Sequence, residues 1–204
     1  MPIITQVSVQ EKNKKRCNLF IDGEFKAGIL VETAIKFGLK KGKEIDEESL
    51  FFMLTENEKK EAVEKAVDYA TKGLKTKKQV RDNLLNKGYS IESVYHAIDT
   101  LKNYGLIDDV NYAKRYIESC GKTQGRKLIY FKLMQKGIKK EDVEKAFGEA
   151  EYTAGDGAFT IAEKYMKGKE RSRENKVKAY RYLAGKGFDY DDINSALGKL
   201  FKEE

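Results

Sequence analysis

The sequence is poor in several residues that usually carry structure or chemistry: it has one proline, one histidine, two cysteines and no tryptophan in 204 residues. The proline is Pro2, so every later segment is free of the residue that breaks helices by removing an N–H and crowding the preceding turn. Cys17 and Cys120 cannot build a disulfide framework. The first falls in a strand-like segment and the second at a predicted helix end, so both are expected to be free thiols that pack as small hydrophobes. His96 lies inside a predicted helix with no evident triad, and no Cys/His cluster has metal-ligand spacing. No apolar run approaches the roughly 20 residues of a membrane span, and the N-terminus lacks the charged-then-apolar pattern of a signal peptide. These absences predict a cytoplasmic non-enzyme with no catalytic residue, no cofactor, no metal and no membrane partner.

Charge, by contrast, is abundant. Charged residues make up 36% of the chain and hydrophobic residues 40%, with a net charge of +7. That composition suits an elongated body of shallow cores better than one deep core, because a thin shape has more surface per residue. The basic excess favours an anionic partner, either nucleic acid or an acidic protein surface.

Two kinds of periodicity follow one another. Val7 and Val9, then Cys17, Leu19 and Ile21, then Phe25, Ala27 and Ile29 alternate with polar neighbours, which predicts half-buried strands. Asp22-Gly23 between the last two runs predicts a tight hairpin with positive φ. A short helix follows, with Val31, Ala34, Ile35 and Phe37 on one side. Gly38 to Lys43 reads G-x-x-x-G-K, one residue short of a phosphate-binding loop and without Ser or Thr after the lysine, so it is read as a turn. From Thr55 onward the pattern is helical. Thr55 and Glu58 have capping-box spacing, and Ala62, Ala66, Tyr69 and Ala70 share one helical face.

The remainder is one unit written three times. Leu84-Leu-Asn-Lys-Gly-Tyr89 matches Leu133-Met-Gln-Lys-Gly-Ile138 and Leu183-Ala-Gly-Lys-Gly-Phe188, at spacings of 49 and 50 residues. Glu92, Glu141 and Asp191 align; so do Val94, Val143 and Ile193; Ala97, Ala146 and Ala196; and Ile98, Phe147 and Leu197. Agreement at so many offsets marks a structural repeat. Each Lys-Gly pair reads as the end of a second helix, with glycine in the left-handed position and lysine at the negative dipole end. The expected fold is mostly α: three tandem three-helix, helix-turn-helix-like repeats in an elongated curved array, preceded by a small N-terminal domain containing a β-hairpin. The expected boundaries are 1–55 for the α+β extension and 56–109, 110–152 and 153–204 for the repeats.

Laid over one another, the repeats show where charge recurs. Tyr69 to Arg81 carries +5, Lys114 to Lys127 carries +4 and Lys164 to Arg181 carries +6, so the rest of the chain carries −8. Each window spans the end of a first helix, a connection and the start of a second helix, where a helix N-terminus would add exposed N–H groups. The candidate partner-binding residues are Lys75, Lys77, Lys78 and Arg81 in the first window, Arg115, Lys122, Arg126 and Lys127 in the second, and Arg171, Arg173 and Lys176 in the third. With similar stacking of the repeats they would form a discontinuous basic stripe suited to a phosphate backbone or an acidic groove. The third helices open with acids, among them Glu92, Glu141, Asp142, Asp189, Asp191 and Asp192, which argues against their entry into a DNA major groove. Tyr69, Tyr112, Tyr116 and Tyr165 have the chemistry of base-stacking platforms, but their recurrence beside alanine favours packing of the first helix.

The string Gly105-Leu-Ile-Asp-Asp109, followed by Tyr112-Ala113, Tyr116, Gly125-Arg126 and Leu133-Met-Gln-Lys-Gly-Ile138, resembles the RecX family of bacterial recombination regulators over about residues 60 to 200. The resemblance implies a curved row of three-helix repeats that binds the RecA filament along its groove. It also implies modulation, usually inhibition, of ATP hydrolysis, strand exchange and co-protease action in DNA repair and the SOS response. Some members also bind DNA, so single- or double-stranded DNA, without sequence preference, is an expected partner beside RecA. A monomer is expected. The motif contributes Arg126 as a contact; Leu106, Ile107, Leu133 and Ile138 read as core. The third repeat departs from the pattern, with Asn175-Lys176 in place of Gly-Arg. Two other readings stay open: an autonomous non-specific DNA-binding module, and a repeat scaffold for an acidic protein.

Overall fold

A computed structural model describes residues 1–152 and 154–202. The expected boundary at residue 153 and the end at 204 lie outside the described residues. The chain is mostly helical, with one small antiparallel sheet at its start. It divides into two compact units, one of Met1–Gly73 with Val80–Leu106, the other of Leu74–Gln79 with the chain from Ile107 onward.

In the first unit, β1 (Ile4–Val9), β2 (Arg16–Ile21) and β3 (Glu24–Leu30) form a sheet in the order β1-β2-β3. Asp22 and Gly23 take φ of 50° and 85°, the all-positive geometry a two-residue hairpin needs. Ile4, Cys17, Leu19, Ile21 and Ile29 fill the face turned to the core. Phe25 departs from the expected alternation and is exposed. A bulge at Lys26 makes Phe25 the cross-strand partner of Phe20, and the two rings meet edge to face 5.7 Å apart on the outer side. Val9 is also exposed, at the end of β1. In α1 (Val31–Lys36), Ala34 is buried, but Ile35 is exposed, contrary to the expected face. Gly38 and Gly42 take positive φ, and Lys43 Nζ donates back to the carbonyls of Phe37 and Gly38, so the G-x-x-x-G-K string closes on itself as a turn.

Thr55 does not start a helix. The 24-residue α2 (Glu47–Ala70) runs through it and begins instead at Asp46, whose carboxylate accepts from Ser49 N at 2.7 Å. Leu50 and Met53 pack on the sheet, while Ala62, Ala66 and Ala70 are buried along the helix's second half, which packs against α4 (Ile91–Asn103). In the chain α3 (Lys77–Leu85) connects the two, with Val80 and Leu84 buried. Glu58 caps α4 from α2: its carboxylate accepts from Ser90 N, from Ser90 Oγ and from Ser93 Oγ. Burial alone would raise the Glu58 pKa, but the hydrogen bonds from Ser90 and Ser93 outweigh it and hold the carboxyl below its ordinary value. A folded-state pKa below the unfolded one stabilises above the unfolded value and is lost as pH falls through the folded one. Glu58→Ala is therefore expected to cost about 1–3 kcal/mol at neutral pH, and the gap to wild type should shrink in acid, as read by urea unfolding at several pH values.

The second unit holds two further repeats. The first consists of α5 (Asp109–Cys120), α6 (Arg126–Gln135) and α7 (Lys140–Glu149); the second of α8 (Ala154–Met166), α9 (Arg173–Gly185) and α10 (Tyr190–Lys202). Each has its own core. First and third helices pack directly against each other, α5 on α7 and α8 on α10. Their aligned alanines, Ala113 with Ala146 and Ala162 with Ala196, are buried, and small side chains let these helices approach closely. Cys17 and Cys120 are free thiols, and His96 is exposed on α4. Among the described residues no helix is long and apolar enough to cross a membrane.

Candidate partner-binding surface

All three Lys-Gly pairs end a second helix as the sequence predicts. Gly88, Gly137 and Gly187 take φ of 85°, 82° and 85°. In each case the next residue's N–H returns to the aligned leucine carbonyl, Tyr89 to Leu84, Ile138 to Leu133 and Phe188 to Leu183. The lysines do more than answer a helix dipole: Lys136 Nζ lies 5.7 and 5.9 Å from the ring centres of Tyr112 and Tyr116, and Lys186 Nζ lies 5.3 Å from that of Tyr182. Tyr69, Tyr112, Tyr116 and Tyr165 are half-buried, as core packing requires. Tyr165 also stacks on Tyr182 at 4.5 Å.

The structure gives these helix ends a second task. Gly125 N donates to Lys186 O at 2.9 Å and Lys127 N to Gly187 O at 3.1 Å, so the start of α6 sits on the end of α9. The start of α3 sits likewise on the end of α6: Thr76 Oγ1 donates to Lys136 O at 2.9 Å and Lys78 Nζ to Gln135 O at 3.2 Å. The two junctions differ for a steric reason. Gly125 has no side chain, so its backbone reaches the partner carbonyl directly, and a Cβ there would overlap the backbone of Gly187 and Phe188. Thr76, at the equivalent place, holds its backbone back and bridges with its hydroxyl. It also forms a capping box, exchanging bonds with Gln79.

Asp108 and Asp109 of the motif at the start of α5 are both caps. Asp108 accepts from Val110 N and Asn111 N on its own helix. Asp109, buried, accepts from Lys77 N at 2.9 Å and so caps α3. Burial raises its pKa, opposed by the Lys77 N–H. Asp109→Asn keeps an acceptor oxygen and removes the buried charge, so its stability at pH 7 should equal or exceed wild type. Asp109→Ala strands the N–H and is expected to cost about 1–3 kcal/mol in the same denaturation assay. Leu106, expected in the core, is 39% exposed, whereas Ile107 beside it is buried.

The helix starts are therefore not equally open. Lys127 N of α6 is engaged at the junction with α9, and Lys77 N and Gln79 N of α3 are engaged by Asp109 and Thr76, which corrects the expectation of exposed N–H groups at every start. α9 begins on a serine cap of its own: Ser172 accepts from Asn175 N at 3.2 Å. The helix thus starts at Arg173, three residues before the Lys176 position that repeat alignment pairs with Arg126, and Ser172-Arg173 takes the structural place of Gly125-Arg126.

The side chains still point outward. Arg115, Lys122, Lys127 and Arg173 are exposed and enter no ion pair among the described residues. Lys176 is exposed with its ammonium 5.4 Å from the Phe201 ring centre, and Arg171 is exposed in the connection. Lys75, Lys77 and Lys78 are half-buried. Arg81 belongs to the first unit and pairs with Asp82 at 2.9 Å. Arg126 is held on its own repeat: its guanidinium pairs with Glu144 at 2.5 Å and lies 4.1 Å over the Phe147 ring. Because α9, α6 and the first turn of α3 meet end to end, the basic clusters at their starts are separated by helix lengths, about 15 Å along α6 and about 20 Å along α9 at 1.5 Å per residue. Several acids of the third helices are engaged locally. Glu92 pairs with Lys59, Glu144 with Arg126, and Asp189 caps Asp192 N.

Comparison with known proteins follows this architecture. Residues 2–46 match the regulatory protein RecX N-terminal domain, residues 108–146 the second RecX three-helix domain and residues 156–197 the third. The regulatory protein RecX of Clostridium tetani is 36% identical over 202 residues, covering 97% of this chain and 94% of that one. That of Bacillus subtilis is 29% identical over 205 residues, covering 98% and 78%. A crystal structure of regulatory protein RecX superimposes over 100% of both chains with a TM-score of 0.73 at 25% identity. That of RecX from Lactobacillus salivarius covers 70% of this chain and 96% of its own, with a TM-score of 0.65 at 29% identity. Repeats, caps and relatives agree, and the chain belongs to the RecX family of regulatory proteins.

Proposed function

We propose that this protein binds the RecA nucleoprotein filament and lowers its ATP hydrolysis, strand exchange and co-protease activity, acting in the cytoplasm as a non-catalytic regulator in DNA repair. The observation that carries the reading is the recurrence of cations at successive second-helix starts, half-buried at α3 and exposed at α6 and α9, joined end to end in the second unit, while several third-helix acids are engaged within their repeats. A filament groove offers phosphates and protein surface together, and cations at helix-length intervals engage such a surface without reading bases. The contact residues in this reading are Lys75, Lys77, Lys78, Arg115, Lys122, Lys127, Arg171, Arg173 and Lys176. Arg126 contributes by anchoring the middle repeat, and Arg81 lies on the other unit. The test is ATP hydrolysis by RecA on single-stranded DNA titrated with the purified chain. A fall to a plateau is expected; an unchanged rate at saturating protein rejects the reading. A second reading, an autonomous non-specific DNA binder, rests on the same recurrence of basic residues at helix starts. It requires mobility shifts on bare DNA that weaken steeply with salt, and a flat salt response excludes it.

A further inference from the structure

The N-terminal unit carries a second surface, opposite in sign to the basic helix starts. Phe51 on α2 is 73% exposed and Phe25 on β3 is 59% exposed, and the two line one groove of about 420 Å³. Its floor is Ile21, Leu50 and Leu54. Two large aromatic rings held in water beside a preformed apolar floor are a feature that folding alone does not explain.

The walls of this groove are an edge strand and a helix. β3 ends the sheet, so one of its sides faces no other strand among the described residues. Toward its C-terminus that side is closed: Arg16 Nη2 donates to Gly28 O at 2.7 Å, and Leu30 N donates to Asn57 Oδ1 at 2.8 Å. Toward its N-terminus, along the groove, it is not closed in this way among the described residues. Lys26, the bulge residue, stands opposite no residue of β2. An edge left open beside an apolar helix face is the geometry that takes up an extended peptide, with backbone bonds to the strand and side chains in the groove. The site is also rigid. The hairpin tip is tied to β1 by Asp22 N to Ile3 O, Ile3 N to Asp22 Oδ1 and Gly23 N to Thr5 Oγ1.

The rim fixes the sign of the occupant. Asp22, Glu24 and Glu47 line it against Lys26 alone, and neither Glu24 nor Glu47 enters an ion pair among the described residues. We propose that this groove docks an extended segment of a partner protein in which one apolar side chain is flanked by basic residues.

The probe is an array of short synthetic peptides, each with a central Leu, Ile or Phe between Lys or Arg residues, and a matched array with Glu flanks. Binding to the full chain is read by fluorescence anisotropy. Members of the basic array should bind at least about ten-fold tighter than their Glu-flanked counterparts, since opposite charges on the rim govern partner choice. Amide shifts on binding should centre on Glu24, Phe25 and Lys26. Phe51→Glu, whose side chain lies outside the core, should weaken binding of the basic array by putting a carboxylate where the apolar side chain packs, and the double variant Glu24→Lys/Glu47→Lys should remove that preference, each unfolding as wild type does. The proposal is overturned if no basic peptide binds up to millimolar concentration, if both arrays bind equally, or if both variants bind unchanged. Self-association of the chain that Phe51→Glu abolishes would assign the groove to a second copy and overturn it as well.

Discussion

Replacing Gly187 by alanine is expected to lower the unfolding free energy by about 3 kcal/mol or more, whereas Gly88→Ala should cost only about 1 kcal/mol. Both residues follow a repeat lysine and both have φ of 85°, so each pays the same left-handed strain when a Cβ is added. They differ in what the new atom meets. At Gly88 nothing lies within 4 Å, but at Gly187 the Cβ would run into the backbone and Cβ of Leu128 at the start of α6. Gly125→Ala should resemble Gly187→Ala although φ at Gly125 is −76°, because its Cβ would strike the other side of the same junction. Urea unfolding followed by circular dichroism tests this. Equal losses at positions 88 and 187 would show that left-handed geometry alone decides the cost and that the junction contributes nothing.

Reversing Lys122, Lys127 and Arg173 to glutamate is expected to weaken binding to RecA filaments on the order of a hundred-fold, while Lys12→Glu/Lys14→Glu should change it little. The three chosen side chains are exposed and outside any ion pair among the described residues, so reversal alters the surface and leaves the core alone. Arg126, the residue the family motif singles out, is a poor choice for this purpose. Arg126→Glu would face Glu144 and leave Phe147 uncovered, mixing lost stability with lost binding. If phosphates supply the affinity, the slope of log K against log salt should also become shallower by about 3.

Much of this was legible in the sequence because it depends on residue type at fixed spacing. The sheet follows from period-two alternation and Asp22-Gly23, and the repeats from three Lys-Gly caps with aligned alanines. What the spacing misplaced has local physical causes. The Lys26 bulge turned Phe25 outward, Asp46 rather than Thr55 started α2, and Glu58 capped a different helix from the one that contains it. The serine before Arg173 placed the start of α9 one turn ahead of the repeat alignment. The junctions were not legible, because their acceptors are the carbonyls of Gln135, Lys136, Lys186 and Gly187, and every residue has a carbonyl. The available signal was Gly125, a glycine at a helix start where no positive φ requires one.

The most direct measurement is co-sedimentation of the wild-type chain and the Lys122→Glu/Lys127→Glu/Arg173→Glu variant with RecA filaments on single-stranded DNA. The wild type should pellet with the filament at salt that leaves it unbound to bare DNA, and the variant should stay in the supernatant. Equal pelleting of the two would contradict the assignment of filament binding to the basic helix starts.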